Sequence, residues 1–509
     1  MNTIRTDVLV IGSGFGAAAP ALRLAQAGLG VVMIEKGPHI DHLRDFRQTQ
    51  DPQYLLKYLH GLSGDHLSLT YAEGLGGGSG FYEMVSLRAP SLAFAQTDGR
   101  GRRLWPIGLD RGALDPYYDR AEAMLRVEQI APQDVPKSGL VFSLLMKNLG
   151  YSCDRARYAV RNCMGSGFCV SGCIYGAKQS LHVNYLPQAV AAGARIECDL
   201  EALSVRTLVD VPASASLRNV RALPHRYEVR CRRRSGTRDF VAFQAKIVIL
   251  GGGTIGTAAL LLRSRAELPR LSSEVGKHIA FNGSVKVAGL LPEDFPEGDM
   301  FAGRSHPGMI SYQFLESHGI SISAGKAMPL MLVSAARLRL DGDGREPAWW
   351  GQANVDLMKQ VRHRMIALVS FGLTPPGGAI SLDAGGQPAL SLAPTGELQR
   401  YVDTTRGILQ DILVRNGCRL IDAEWVNKSG APRDDGLHFS TAHQVGSCRM
   451  ADDRRRGVVD AAGEVFGYPG LYVSDGAAIP SSLAVNTSLT ILANAERIAD
   501  GIKERFELP

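Results

Sequence analysis

Residues 6–37 read TDVLVIGSGFGAAAPALRLAQAGLGVVMIEKG and constrain the fold more than any other stretch of the chain. An apolar strand runs into Gly12-Ser13-Gly14-Phe15-Gly16-Ala17, an alanine-rich helix follows, and a second apolar strand leads to Glu35. The first glycine permits a tight turn and the second lets the backbone approach a pyrophosphate. Ala17 allows close packing of helix on strand, and the phosphates meet the helix N-terminus. Glu35 stands where a ribose-binding carboxylate is expected. The whole pattern predicts a dinucleotide-binding βαβ unit, and does not choose between nicotinamide and flavin.

A chain of 509 residues with 45% hydrophobic content has material for two domains and is neither disordered nor fibrous. No apolar run reaches the length of a membrane span, and the first strand leaves no room for a signal peptide, so a cytoplasmic address is expected. The net charge of +6 is small for this size. The basic runs Arg232 to Arg234 and Arg454 to Arg456 are short and read as solvated faces, not nucleic-acid contacts.

Further along, GLGGGSGFYEMVSLRAP (Gly74 to Pro90) is too glycine-dense for a helix or strand interior. It suits a loop whose backbone, at Gly77, Gly78 and Ser79, passes close to a flat ligand. The segment Leu114 to Val127 predicts a helix with Pro116 at its start and Tyr117, Ala121 and Leu125 on one face. Arg230 to Arg238 reads as a hairpin turn, followed by a second strand, glycine turn and helix in AKIVILGGGTIGTAALLLRS. From Val285 to Gly436 the pattern alternates, as in SVKVAG and AISLDAG, with Trp349 and Trp350 between. The expected fold class is α/β: a Rossmann-like nucleotide-binding domain (1–284 and 437–509) with an inserted α+β substrate domain (285–436) built on a mainly antiparallel sheet.

The C-terminal part carries HQVGSCRM from His443, LYVSDGAAIP with Asp475 and Gly476, and LAVNTSLTILANAERIAD with Asn486 and Thr487. His443 and Asn486 are candidates for a base that takes a hydroxyl proton and a polar group that holds the same oxygen. An amphipathic helix over Ser488 to Lys503, with Leu489, Leu492, Ala495, Ala499 and Ile502 on one face, is expected to be capped by Asn486 or Thr487. Its positive end would then sit beside the asparagine. His438 reads as a structural strand residue.

In the order and spacing of these blocks the chain resembles the glucose-methanol-choline (GMC) oxidoreductases over nearly its whole length. The matching parts are Gly12 to Ala17, GLGGGS, WPI with LDPYYDRAE, GTIGTAALLLRS, and His443 to Asn486; LPRLSSEVGKHIAFNG is similar to the bacterial sterol oxidase branch. The resemblance implies FAD as the nucleotide and Asp475 and Gly476 against the ribityl chain and phosphates. It also implies His443 and Asn486 as the catalytic pair, oxidising an alcohol: a sugar, a glycoside or a bulky cyclic secondary alcohol. Phe81 stands where relatives with covalent flavin carry histidine, so noncovalent FAD is expected. Thr487 stands where proline commonly follows the asparagine. Glu316 is the nearest candidate for the extra carboxylate of double-bond-shifting sterol oxidases. The alternatives are lyase or decarboxylase chemistry on the same fold, or an electron-transfer subunit.

Of eight cysteines, Cys163, Cys169 and Cys173 cluster in RNCMGSGFCVSGCIYGAK. In a cytosolic chain such clustering favours metal or redox chemistry over disulfides. Two readings stand side by side: a three-iron (3Fe-4S) cluster like that of FAD-dependent glucose dehydrogenases, which implies an acceptor protein or small subunit, or cysteines packed as small hydrophobes. The other five read as structural, with Cys448 close to the flavin.

Overall fold

The computed structural model describes residues 2–209, 220–236, 239–326, 336–340, 350–425 and 437–509. Trp349, Arg238 and the expected boundary at Gly436 lie outside them.

The first strand, Asn2–Ile11, is the centre of a seven-stranded sheet. It pairs in parallel with Val31–Ile34 on one side and Phe240–Leu250 on the other, and the latter pairs in parallel with Leu471–Val473. Val8, Leu9, Val10 and Ile247 to Leu250 are buried on both faces, as continuous apolar runs in a covered parallel sheet must be. In register, Ile11 stands opposite both Ile34 and Leu250, and Leu250 opposite Val473. Four strands therefore end together, bringing Gly12, Glu35, Gly251 and Ser474 to one sheet edge, the place where open α/β sheets bind ligands.

The second large sheet is antiparallel throughout and also has seven strands. Its middle is Lys286–Leu290, Met365–Gly372 and Ile320–Gly325. One edge strand, Asp154–Arg155, comes from far outside the expected insert. The alternating segments Gly378–Leu382 and Pro388–Leu392 form a hairpin that joins Lys277–Ala280 and Val445–Ser447 in a separate four-stranded sheet.

Two helix expectations are corrected. The helix around Pro116 starts earlier, at Arg111, because Asp110 caps it by accepting from the Ala113 N–H at 2.9 Å; Pro116 is thus interior. Its buried stripe is Leu114, Tyr118, Ala121 and Leu125, so the tyrosine on the core face is Tyr118, while Tyr117 lies partly exposed against Arg120. At the C-terminus, Ser488–Arg505 is helical with every expected apolar position buried, and Thr487 occupies the cap position, but its side chain makes no capping bond. Among the described residues no helix is long and apolar enough to cross a membrane.

Candidate active site

The fingerprint turn is fixed by steric fit. Gly12 has φ of +97°, and a Cβ there would lie 2.3 Å from the Gly251 carbonyl oxygen; one on Gly16 would lie 2.3 Å from Cα of Asp475. Gly14 and Gly78 are different, since a Cβ on either meets nothing within 4 Å. Gly77, at φ of +53°, packs its Cα side against Gly14, so the Gly77–Gly80 turn and the fingerprint face one open trough. The helix Phe15–Gln26 begins there with no side-chain cap. This is a cradle in which backbone N–H groups and a helix start can meet an anion.

Glu35 is buried beside that cradle, accepting from Ser13 Oγ at 2.6 Å and the Gly37 N–H at 2.8 Å; burial raises its pKa against those hydrogen bonds. Ser79 turns its hydroxyl inward, donating to the Gly76 carbonyl at 2.6 Å and accepting from the Leu181 N–H at 3.0 Å. Asp475 likewise ties loops together, accepting from Gly253 N–H, Thr257 Oγ1 and Ala477 N–H at 2.7, 2.6 and 2.8 Å. Burial pushes its carboxyl up to about 6, against the pull of those donors. Gly476 follows it, buried under Ile491.

His443 and Asn486 meet: Asn486 Nδ2 donates to His443 Nε2 at 3.1 Å. The His443 backbone N–H is held by Thr441 Oγ1 at 2.9 Å, and the Phe371 ring lies 5.0 Å from the imidazole. Burial, and after it the Lys286 ammonium, push the imidazole down to about 4. Its accepting Nε2 is therefore a free base at neutral pH.

Asn486 owes its place to a residue the sequence reading did not single out. Asn282, fully buried, accepts from the Leu483 N–H at 2.7 Å and donates to the Val485 carbonyl at 2.7 Å, clamping the segment that leads to Asn486. Ser321 Oγ adds a bond to the Ala484 carbonyl. The available signal was the motif HIAFNG, in which Asn282 sits at φ of +58°, a conformation asparagine tolerates.

Other expectations fall into place around this centre. His438 contacts Ser68 Oγ and the Asp65 carbonyl, a structural position just before the strand Phe439–Thr441. Phe81 stacks on Tyr58 with centroids 5.1 Å apart. Glu316 is exposed on the short helix Leu315–His318. Cys448 is fully buried and its thiol is held far above the usual range by burial, so it packs as an inert apolar group. Arg232, Arg233 and Arg234 pair with Glu201, Glu197 and Glu73.

Cys163, Cys169 and Cys173 do line one pocket, together with Met84, Lys178 and Arg304. Among the described residues no group of three or more His, Cys, Asp or Glu side chains is placed to hold a single metal ion. Cys169 Sγ instead lies 3.5 Å from Met84 Sδ, and Cys163 Sγ accepts from the Gly165 N–H at 3.4 Å.

Comparison with known proteins agrees with this architecture. The family models for GMC oxidoreductases match residues 6–280 and 402–495. The chain is a GMC oxidoreductase. The family binds FAD and acts on CH–OH groups. The chain is 27% identical to cholesterol oxidase of Mycobacterium tuberculosis, covering 97% of this chain and 90% of that one. It is 27% identical to 6'''-hydroxyparomomycin C oxidase of Streptomyces lividus, covering 97% and 91%. Pyridoxine 4-oxidase of "Mesorbium loti" superposes with a TM-score of 0.63 at 14% identity, over 98% of this GMC chain and 99% of that one.

Proposed function

We propose that this GMC oxidoreductase oxidises an alcohol to its carbonyl on noncovalently held FAD, with His443 as base and Asn486 as the group that holds the reacting oxygen. The observation that carries this reading is the 3.1 Å contact between His443 and Asn486, two side chains delivered by separate segments to one point. The Gly14 and Gly78 trough fits the pyrophosphate, Glu35 the ribose, and the segment Asp475–Gly476 with Asn486 and Thr487 the ribityl chain and ring. Aromatic Phe81 offers no imidazole for covalent attachment.

Bound FAD supplies the acceptor for a hydride. A substrate hydroxyl entering between the two side chains replaces their direct contact, and the uncharged His443 Nε2 so freed takes the hydroxyl proton as the carbon loses its hydride and the C=O bond forms. The Asn486 amide donates to the same oxygen and fixes the carbon's orientation. The helix Ser488–Arg505 starts directly after this pair, so its positive end favours negative charge arriving there.

The test is anaerobic mixing of the FAD-loaded protein with sugars, glycosides, sterols and aliphatic alcohols. Bleaching of the flavin by at least one alcohol, with release of intact FAD on denaturation, is the expected result. A protein that binds nicotinamide nucleotide and no FAD would overturn the reading.

A further inference from the structure

Of the two basic runs in the sequence, only one is neutralised by the fold. Arg232, Arg233 and Arg234 each pair with a glutamate, whereas among the described residues Arg454 and Arg455 are in no ion pair and Arg456 reaches only Asp98, at 3.8 Å. The turn that carries the second run is tight: the Arg456 and Gly457 N–H groups both donate to the Asp453 carbonyl, and the Arg455 N–H donates to Asp453 Oδ1 at 2.9 Å. It is bonded to a second turn rich in arginine, since Arg456 Nη2 donates to the Arg103 carbonyl at 2.6 Å. There Asp98 accepts from the N–H groups of Arg100 and Arg102, each at 3.0 Å, and pairs with the Arg102 side chain at 2.8 Å. Among the described residues Arg100 and Arg103 are in no ion pair, and Arg103 Nη2 donates to the Leu109 carbonyl at 3.1 Å. A bond to a carbonyl satisfies an N–H and leaves the guanidinium charge whole.

Beside these turns stands an apolar tip. Trp105 is buried, with Nε1 donating to Ser481 Oγ at 2.8 Å and its ring 4.5 Å from Phe94. Two residues on, the Ile107 N–H donates to Asp452 Oδ1 at 3.0 Å, and Ile107 stands outward, 79% exposed. A Cβ added at Gly99, Gly101 or Gly108 meets nothing within 4 Å, so the tips stand clear of the body. This surface sets six arginines, Arg100, Arg102, Arg103, Arg454, Arg455 and Arg456, against three carboxylates, Asp98, Asp452 and Asp453, which are all engaged in the bonds above. An exposed aliphatic chain beside guanidinium groups left in excess matches the interface of an anionic bilayer, where the phosphate layer takes the arginines and the acyl boundary the isoleucine. Nucleic acid would meet the arginines and give Ile107 no apolar surroundings. Projecting tips suit a plane better than a protein partner, which needs a complementary face of about 800 Å².

We propose that this face, made of residues 98–103, 105–109 and 452–456, is a membrane-surface site that seats the protein on anionic phospholipid headgroups with Ile107 in the acyl boundary. The attachment is peripheral and reversible, because one aliphatic side chain and a few arginines fall far short of a spanning segment. Gln96 Nε2 and Trp105 Nε1 both donate to Ser481 Oγ, so the seated face is fastened to the segment that runs on to Asn486. The seating is independent of which alcohol is oxidised.

The experiment is sedimentation of the FAD-loaded full chain with vesicles of phosphatidylcholine alone and of phosphatidylcholine with about one-third phosphatidylglycerol. Binding to the anionic vesicles only, lost at about 0.5 M salt, is expected. Arg100→Ser, Arg454→Ser and Arg455→Ser combined should weaken it about 100-fold, at about fivefold for each arginine. Ile107→Ser should weaken it about tenfold. Ile107→Trp should gain fluorescence that brominated acyl chains quench. The paired run is the control: Arg232→Ser with Arg233→Ser should bind as the unaltered protein does, and flavin absorbance reports that each variant is folded. No sedimentation with the anionic vesicles overturns the proposal, as does equal binding to phosphatidylcholine alone. Unweakened binding in the triple variant, or no quenching in bound Ile107→Trp protein, also overturns it. Binding to double-stranded DNA or polyglutamate as tight as to vesicles, with no dependence on Ile107, assigns the face to a polyanionic macromolecule and overturns the lipid assignment.

Discussion

An imidazole held at about 4 is uncharged from weakly acidic to alkaline pH, which is the state a proton acceptor needs. The sign is definite. Burial disfavours the imidazolium, so the base form is present above the folded value and lost only as pH falls through it. The acid limb of kcat/KM for the FAD-loaded enzyme is therefore expected well below 6.5, near 4. A limb at 6.5 or above in the pH–rate profile would contradict this assignment of the environment. Asn282 offers a second check at the same scale. Asn282→Ala removes both clamps on the segment before Asn486, and a displacement of about 1 Å can cost about a hundredfold in rate. Flavin reduction should slow by roughly 10- to 100-fold while FAD stays bound. Full activity in that variant would mean Asn486 is placed by other contacts.

The fingerprint turn and the helix it begins make two kinds of glycine distinguishable. Gly16→Ala forces a Cβ to 2.3 Å from the Asp475 backbone, and a loss of about 1–3 kcal/mol or more in unfolding free energy is expected. Gly14→Ala meets nothing, so the FAD-free protein should unfold at an unchanged midpoint while FAD affinity drops about tenfold or more, because the pyrophosphate loses its close approach. Fluorescence titration of FAD against thermal unfolding separates the two. These elements were legible in the sequence because their signals are local: strand, turn, helix and acid follow each other within one βαβ unit. The partly legible ones depend on phase or on pairing. The helix Arg111–Leu125 begins before its expected start because the Asp110 cap, and not Pro116, sets its first turn. The Gly378–Leu382 and Pro388–Leu392 hairpin pairs with a strand near residue 280, which alternation alone does not reveal.

At the scale of the whole molecule, the N-terminal and C-terminal parts are joined by a buried charge that no periodicity announces. Glu496, fully buried on the final helix, accepts from Arg23 at 2.8 Å through both oxygens, from Tyr185 at 2.8 Å and from Arg120 at 3.3 Å. Removing one member of such a cluster leaves the others uncompensated. Glu496→Ala should cost about 3 kcal/mol in urea unfolding, and a cost under about 1 kcal/mol would show the cluster to be replaceable. That joint matters for the proposed function because the helix that carries Glu496 begins at Ser488, two residues after Asn486. The most direct test of the account is therefore stopped-flow reduction of the flavin, without oxygen, in His443→Ala protein that retains its FAD. The expected result is a rate about 10²- to 10⁴-fold below that of the unaltered enzyme with the same alcohol; an unaltered rate would contradict the assignment of His443 as the base.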